Sequence, residues 1–375
     1  MDSNKRPTNT RRSLLGAASA AALLPSPWVR ASGFAWPRGE GESGAGDHLA
    51  ERLDDGMRSG QLANLHAVFV ARHGKLVAER YYPGSDERWG TPLGTVAFGP
   101  DTLHDLRSVS KGVVGLLYGI ALAEGKVPAL DTSVVDAFPA YADLAAEPAR
   151  RAIRIEHVLS MTMGLAWNED LPYSDPRNSE IAMENSADRY RYVLAQPVVS
   201  PAGAAWRYSG GATAILGHLV ARGAGMPLLD FARSRLFSPL GIAQAEWTPG
   251  SNGEAAAASG LRLRAGDLAR IGQLFLQRGA WQGSQVVPVE WLAASPAPRA
   301  AAFEDVRYGY HWYVAPRRDG SPMIMGFGYG GQRLVVIPAL GIVYVIFMGN
   351  YQHSFPVQLQ RVFAVQRVIH GALGL

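Results

Sequence analysis

The chain has 375 residues, of which 47% are apolar and 18% charged, a composition that excludes a disordered polypeptide and suffices for one large domain or two ordinary ones. Its formal net charge is +4, but residues 1–31 hold Lys5, Arg6, Arg11, Arg12 and Arg30 against Asp2 alone, and setting these aside from the 36 basic and 32 acidic residues leaves 31 of each. The basic balance therefore belongs to the N-terminal segment and does not indicate a nucleic-acid partner. The absence of cysteine excludes disulfides, thiol catalysis, cysteine-ligated zinc and lipoprotein attachment.

In chain order, Thr10-Arg11-Arg12-Ser13-Leu14-Leu15-Gly16 precedes a mild Ala/Leu stretch that ends at Leu24. Paired arginines before a short, weakly apolar segment resemble a twin-arginine export signal, with cleavage expected near Ala31 and a periplasmic or secreted protein as the result. No later segment has 18 uninterrupted apolar residues, so no stable membrane span is expected once the signal is removed. Residues 32–47, rich in Gly, Ser and Pro, read as a linker ahead of a domain over 48–375. The spacing predicts a hairpin from Ala67–Ala71 through His73-Gly74-Lys75 to Leu76–Tyr82, then a helix carrying Ser108. Helical patterns follow at 154–162, 211–223, 228–236, 265–278 and 288–297. Strand character returns at Tyr308–Val314, Leu334–Ile337 and Ile342–Phe347, before a terminal helix over about 356–373. The pattern predicts an α+β fold, an α/β sandwich. One antiparallel sheet is built from both chain ends (about 60–107 and 300–375) and flanked by helices, with a mostly helical region (about 125–298) inserted.

Four lysines stand against 32 arginines, and Lys111 is the one that follows a serine by three positions inside an apolar run, Leu106-Arg107-Ser108-Val109-Ser110-Lys111-Gly112-Val113-Val114. Residues three apart on a helix share a face, so the Ser108 hydroxyl and the Lys111 amine can meet. Free serine is a weak nucleophile; a desolvated amine can take its proton because burial disfavours the ammonium form. A helix beginning at the serine also aims free N–H groups at any oxyanion formed there.

Two further motifs stand out. Trp206-Arg207-Tyr208-Ser209-Gly210-Gly211 places Tyr208 at a loop-to-helix junction, where its hydroxyl either relays a proton or caps a carbonyl in the core. Gly326-Phe327-Gly328-Tyr329-Gly330-Gly331-Gln332 enters a strand, and such glycines mark either a backbone exposed to a ligand or a bulge. The nine histidines are scattered without metal-ligand spacing, and neither a metal nor an organic cofactor is expected. An α/β-hydrolase triad is disfavoured because no Gly-x-Ser-x-Gly occurs.

Together and in this order, Ser108-x-x-Lys111, Tyr208-Ser209-Gly210 and Gly326-Phe327-Gly328 resemble the motifs of the serine β-lactamase and penicillin-recognising family. The resemblance runs from about residue 60 to the C-terminus and looks nearest to the branch with 6-aminohexanoate-dimer hydrolase and class C-like esterases. Supporting phrases are His157-Val158-Leu159-Ser160-Met161-Thr162-Met163-Gly164-Leu165 and Gly328-Tyr329-Gly330-Gly331-Gln332. It implies a β-lactamase/transpeptidase-like fold and an exported serine hydrolase acting on small ester or amide substrates through a Ser108 acyl-enzyme. Lys111 and Tyr208 would share the proton traffic, and the N–H groups of Ser108 and Tyr329 would form the oxyanion hole.

The departures concern substrate reading. Gly210 stands where the family carries asparagine, and Gly326 where it carries Lys or His. Both changes favour a broader esterase or amidase over a β-lactamase or D-aminopeptidase. Tyr173, Gly210, Gly326 and Gly328 are expected beside the substrate, Tyr173 from a polar loop over the cleft. The other class consistent with the sequence is a non-catalytic sensor or peptidoglycan-binding module of the same fold.

Overall fold

The computed structural model describes residues 35–38 and 43–375, so the expected export signal lies outside the described residues. Helix α1 (Ser43–Arg58) begins within the stretch read as linker, because Leu49 and Leu53, four apart, are both fully buried. Strands β1 (Leu65–Arg72) and β2 (Lys75–Tyr81) form the expected hairpin. A ribbon of β3 (Gly84–Arg88) and β4 (Thr91–Val96) follows, and then β5 (His104–Asp105) leads into helix α2 (Val109–Ala123).

The inserted region holds short helices α3 (Pro148–Arg151), α4 (Ile155–Leu159), α5 (Ser179–Glu184) and α6 (Arg189–Leu194), then α7 (Gly210–Ala224) and α8 (Leu228–Ala232). Strands β6 (Glu246–Trp247) and β7 (Leu261–Leu263) join β5 in a small sheet of order β5-β7-β6. Helix α9 (Ala265–Leu276), the two-residue strands β8 (Ala280–Trp281) and β9 (Ser284–Gln285), and helix α10 (Val289–Ala294) lead back to the sheet.

The main sheet is eight-stranded and antiparallel. Its C-terminal strands are β10 (Ala300–Phe303), β11 (Val306–Tyr308), β12 (Tyr313–Pro316), β13 (Pro322–Gly328), β14 (Gln332–Ile337) and β15 (Ile342–Met348). Its order, β10-β11-β12-β13-β14-β15-β1-β2, seats the N-terminal hairpin beside the last strand, with Val68 opposite Ile346. The α+β class and the sheet assembled from both ends are as expected. Strands β14 and β15 are buried along their whole length because α9 covers one face and α11 (Phe355–Leu373) packs on β15. That double cover is why they read as continuous apolar runs. Helix α9 therefore belongs to the sheet layer, although it was read with the helical insertion.

The strand expected over Tyr308–Val314 is broken into β11 and β12. His311 takes a left-handed φ of 62°, and the resulting turn drives Trp312 completely out of solvent against α2. Among the described residues no single helix is long and apolar enough to cross a membrane.

Candidate active site

Helix α2 is apolar on all sides and buried from Val109 to Ala121, which makes it the central helix between the sheet and the inserted region. Ser108 is its N-cap and stays partly exposed, while Lys111, in the first turn, is only 2% exposed. The residue before the serine, Arg107, has φ 49°, a conformation that costs a non-glycine residue about 1–3 kcal/mol. It is held there by Glu87 at 2.5 Å and Asp105 at 3.2 Å, with its guanidinium 4.8 Å from the centre of the Tyr351 ring.

The Lys111 amine donates to Ser108 Oγ at 3.0 Å and to the Ala258 carbonyl at 3.1 Å. It also lies 4.8 Å from the centre of the Tyr208 ring. Ser209 caps α7, accepting from Ala212 N–H at 3.2 Å, and the Arg207 amide is tied to the Met161 carbonyl at 2.8 Å. These two anchors fix Tyr208 between them, beside Ser108 and Lys111. Burial, then the nearby Glu169 and Glu180 carboxylates, hold the Tyr208 hydroxyl well above the usual phenol range, so Tyr208 is a neutral phenol.

Tyr329 follows β13 directly. A Cβ on Gly328 would collide with the Leu106 carbonyl, so glycine is what lets the strand end come alongside the turn that carries Ser108. The turn and cap hydrogen bonds in this region use the amides of Gly330 and Gly331, and those of Ser108 and Tyr329 take part in none of them. Tyr173 reaches the same place: its ring meets that of Tyr329 edge-on at 5.2 Å, and its hydroxyl donates to Glu169 at 3.3 Å. Thus Ser108, Lys111, Tyr208, Tyr329 and Tyr173 are brought together.

The three glycines expected beside the substrate are all buried. Gly326 and Gly328 are buried, the first against Val109 and Trp312 and the second against Leu106, where they set the spacing between strand and helix. Gly210 is buried as well, with its N–H given to Glu169. A Cβ there would lie 2.7 Å from Glu180 Oε2 and 3.1 Å from Glu169 Oε1, so two carboxylates fill the space into which a side chain would project.

Those two glutamates were not foreseen. Asn178 caps α5 by accepting from the Glu180 amide at 3.0 Å, which turns Glu180 inward; it is 2% exposed, and its Oε2 lies 3.8 Å from the Lys111 amine. Ser259 donates to its other oxygen at 2.6 Å and itself receives the Trp89 indole N–H at 2.9 Å. Glu169 accepts from the Trp167 indole at 2.5 Å. Burial and the neighbouring Glu180 push the Glu169 carboxyl up to about 7, against the opposing pull of Lys111. In sequence, Asn178-Ser179-Glu180 reads as an ordinary helix start and Glu169 as one acid in a polar loop.

Trp206 meets the rings of Tyr208 at 6.1 Å, Tyr308 at 5.6 Å and Tyr313 at 6.2 Å, and Tyr313 stacks on Phe327 at 4.5 Å. This aromatic wall flanks Ser108 on the β12–β13 side. A partly exposed serine, a buried amine, a neutral phenol and a strand end beside a helix start form an arrangement suited to acyl transfer.

The fold and this arrangement define a β-lactamase/transpeptidase-type protein. Residues 49–365 match the Beta-lactamase family, and the chain belongs to it. Among curated relatives, it is 26% identical to the 6-aminohexanoate-dimer hydrolase of Paenarthrobacter ureafaciens over 321 residues, 80% of this chain and 76% of that one. A Bacillus anthracis protein described as a candidate 6-aminohexanoate-dimer hydrolase superposes with a TM-score of 0.68 at 18% identity, covering 91% of this chain and 89% of that one. EstCE1, a hydrolase with promiscuous acyltransferase activity, gives 0.64 at 19%, covering 84% and 99%. The chain thus sits in a hydrolase family with 6-aminohexanoate-dimer hydrolase and esterase neighbours.

Proposed function

We propose that this protein is an exported serine hydrolase that cleaves ester or amide bonds of small substrates through an acyl-enzyme on Ser108. The observation that carries the reading is the 3.0 Å contact between Ser108 Oγ and an amine almost wholly removed from water. Ser108 Oγ attacks the substrate carbonyl as its proton passes to Lys111. The buried Lys111 and Glu180 face each other at 3.8 Å, so the carboxylate helps hold the amine beside Ser108. Tyr208, a neutral phenol, donates to the leaving oxygen or nitrogen as the proton taken up by Lys111 returns to it. The amides of Ser108 and Tyr329 receive the oxyanion, and the Trp206–Phe327 wall accommodates an apolar acyl or leaving group. Water then hydrolyses the ester bond to Ser108.

Glu169 and Glu180, filling the place of the family's asparagine beside Gly210, favour plain esters and linear amides over β-lactams or D-amino amides. The twin-arginine segment at Arg11-Arg12 supports export. A fluorophosphonate probe and p-nitrophenyl esters test the catalytic reading: wild type labels and shows burst hydrolysis, and Ser108→Ala loses about a thousandfold or more in turnover. No labelling of a folded wild type rejects it in favour of a non-catalytic binding module.

A further inference from the structure

About the other end of β5, three residues that the reaction does not use converge from three separate sheets. His66 on β1, Asp86 on β3 and His104 on β5 are at most 5% exposed, and one nitrogen or oxygen from each lies within 4.8 Å of the others. His66 Nδ1 is 2.9 Å from His104 Nε2, and Asp86 Oδ1 is 3.7 Å from the same His104 nitrogen.

A backbone contact fixes the tautomer of His104. His104 Nδ1 lies 2.9 Å from the Asp105 carbonyl, which can only accept, so Nδ1 carries the proton and Nε2 presents a lone pair. His66 Nδ1 then donates to that lone pair, and the Tyr351 hydroxyl donates to Asp86 Oδ1 at 3.3 Å. Asp86 Oδ2 and His66 Nε2 have no hydrogen-bond partner at all. A buried carboxylate oxygen left without a partner is costly, and a cation held among the three groups satisfies it.

We propose that His66, Asp86 and His104 form a structural site for one divalent transition-metal cation, with zinc the best match to two imidazoles and a carboxylate. His66 Nδ1, His104 Nε2 and an Asp86 oxygen are the ligands. The 2.9 and 3.7 Å separations are of the size expected between donors that each stand about 2.0–2.2 Å from a shared ion. The hydrogen bond from His104 Nδ1 to a backbone carbonyl is the outer contact that metal-bound imidazoles usually make. On binding, the His66 proton moves from Nδ1 to Nε2, so no proton is released. Phe98 stacks on the His66 ring at 4.3 Å and Phe347 on the His104 ring at 4.6 Å, which shields the ligands in an apolar shell. Gly84 and Gly349 crowd the far side of His66, where an added Cβ would stand 2.6 and 2.5 Å from ring atoms, so the ring is fixed in place. The ion would pin the β3–β4 ribbon and the small sheet to the main sheet, close to the turn that sets Ser108.

The test uses the full-length protein after dialysis against a chelator, titrated with zinc and read by metal analysis after gel filtration and by thermal denaturation. The wild type should retain one equivalent of zinc and melt several degrees higher with it. Asp86→Asn and His104→Gln should bind zinc at least about tenfold more weakly and lose the thermal shift. Asp86→Asn preserves shape, and its circular dichroism separates lost binding from lost folding. Less than stoichiometric zinc with no thermal shift in the wild type overturns the proposal. So does equal retention by wild type and both variants, which would mean binding elsewhere on the surface.

Discussion

The two walls of the cleft around Ser108 are built by different means. On the α2–β13 side, the parts are main chain: a helix N-terminus, a strand end and a glycine with no room for a side chain against the Leu106 carbonyl. On the 165–180 side, the parts are charged side chains, Glu169 and Glu180, positioned by a capped short helix and by hydrogen bonds from Trp167, Ser259 and the Gly210 amide. The first wall sets distances. The second sets the charge that Lys111 and Tyr208 experience.

The largest expected effect comes from cutting the link between the two walls. Lys111→Ala should lose about 10²–10⁴-fold in acylation rate, and it should also be destabilised by about 3–5 kcal/mol, because it strands Glu180 in the interior. Lys111→Met combined with Glu180→Gln should regain most of the stability while staying inactive. Denaturant unfolding and burst kinetics on both variants check this, and a stable, active Lys111→Ala would break the assigned division. A middle-sized effect is expected from Gly210→Asn, which forces a side chain onto the Glu180 carboxylate and should cost about 1–3 kcal/mol. Unchanged stability with a shifted amide-to-ester ratio would instead make that position a reader of substrate.

The smallest effect is a slope. The Glu169 carboxyl rises from an ordinary 4.5 to about 7 in the fold, so the folded state holds this proton more tightly than the unfolded state does. Its contribution is therefore fully present below about 4.5, is lost as pH rises through about 7, and is level beyond that. Glu184 at about 7 and Asp267 at about 6 titrate in the same window, so the quantity to measure is the difference between wild type and Glu169→Gln. Wild type should lose stability relative to Glu169→Gln from pH 5 to 7, and a difference independent of pH would remove Glu169 from the electrostatic account.

The main-chain wall was legible in the sequence because it is made of short motifs with fixed spacing: Ser108 and Lys111 on one helical face, Tyr208 at a helix start, glycines at a strand end. The two-ended sheet was legible through the doubly covered strands at Leu334–Ile337 and Ile342–Phe347. The carboxylate wall was not, since Glu169 and Glu180 acquire meaning only when the chain folds them onto a lysine some sixty to seventy positions earlier. His66, Asp86 and His104 escaped for the same reason: ligand spacing is a property of one helix or one turn, and these three lie in three sheets. The substrate role expected for the glycines at 210, 326 and 328 rested on the family motifs they occupy. In the fold Gly326 and Gly328 are packed between strand and helix, and two carboxylates stand beside Gly210.

The contact of Gly328 with the Leu106 carbonyl has an evolutionary consequence. Because no side chain mediates the approach of β13 to the start of α2, the separation of the nucleophile from Tyr329 is insulated from sequence change in the loops. Residues 165–178 and the aromatic surface can drift to new acyl groups without resetting it. Surface substitutions can thus reshape what surrounds Ser108, while a single methyl group at position 328 would push the strand end off the start of α2.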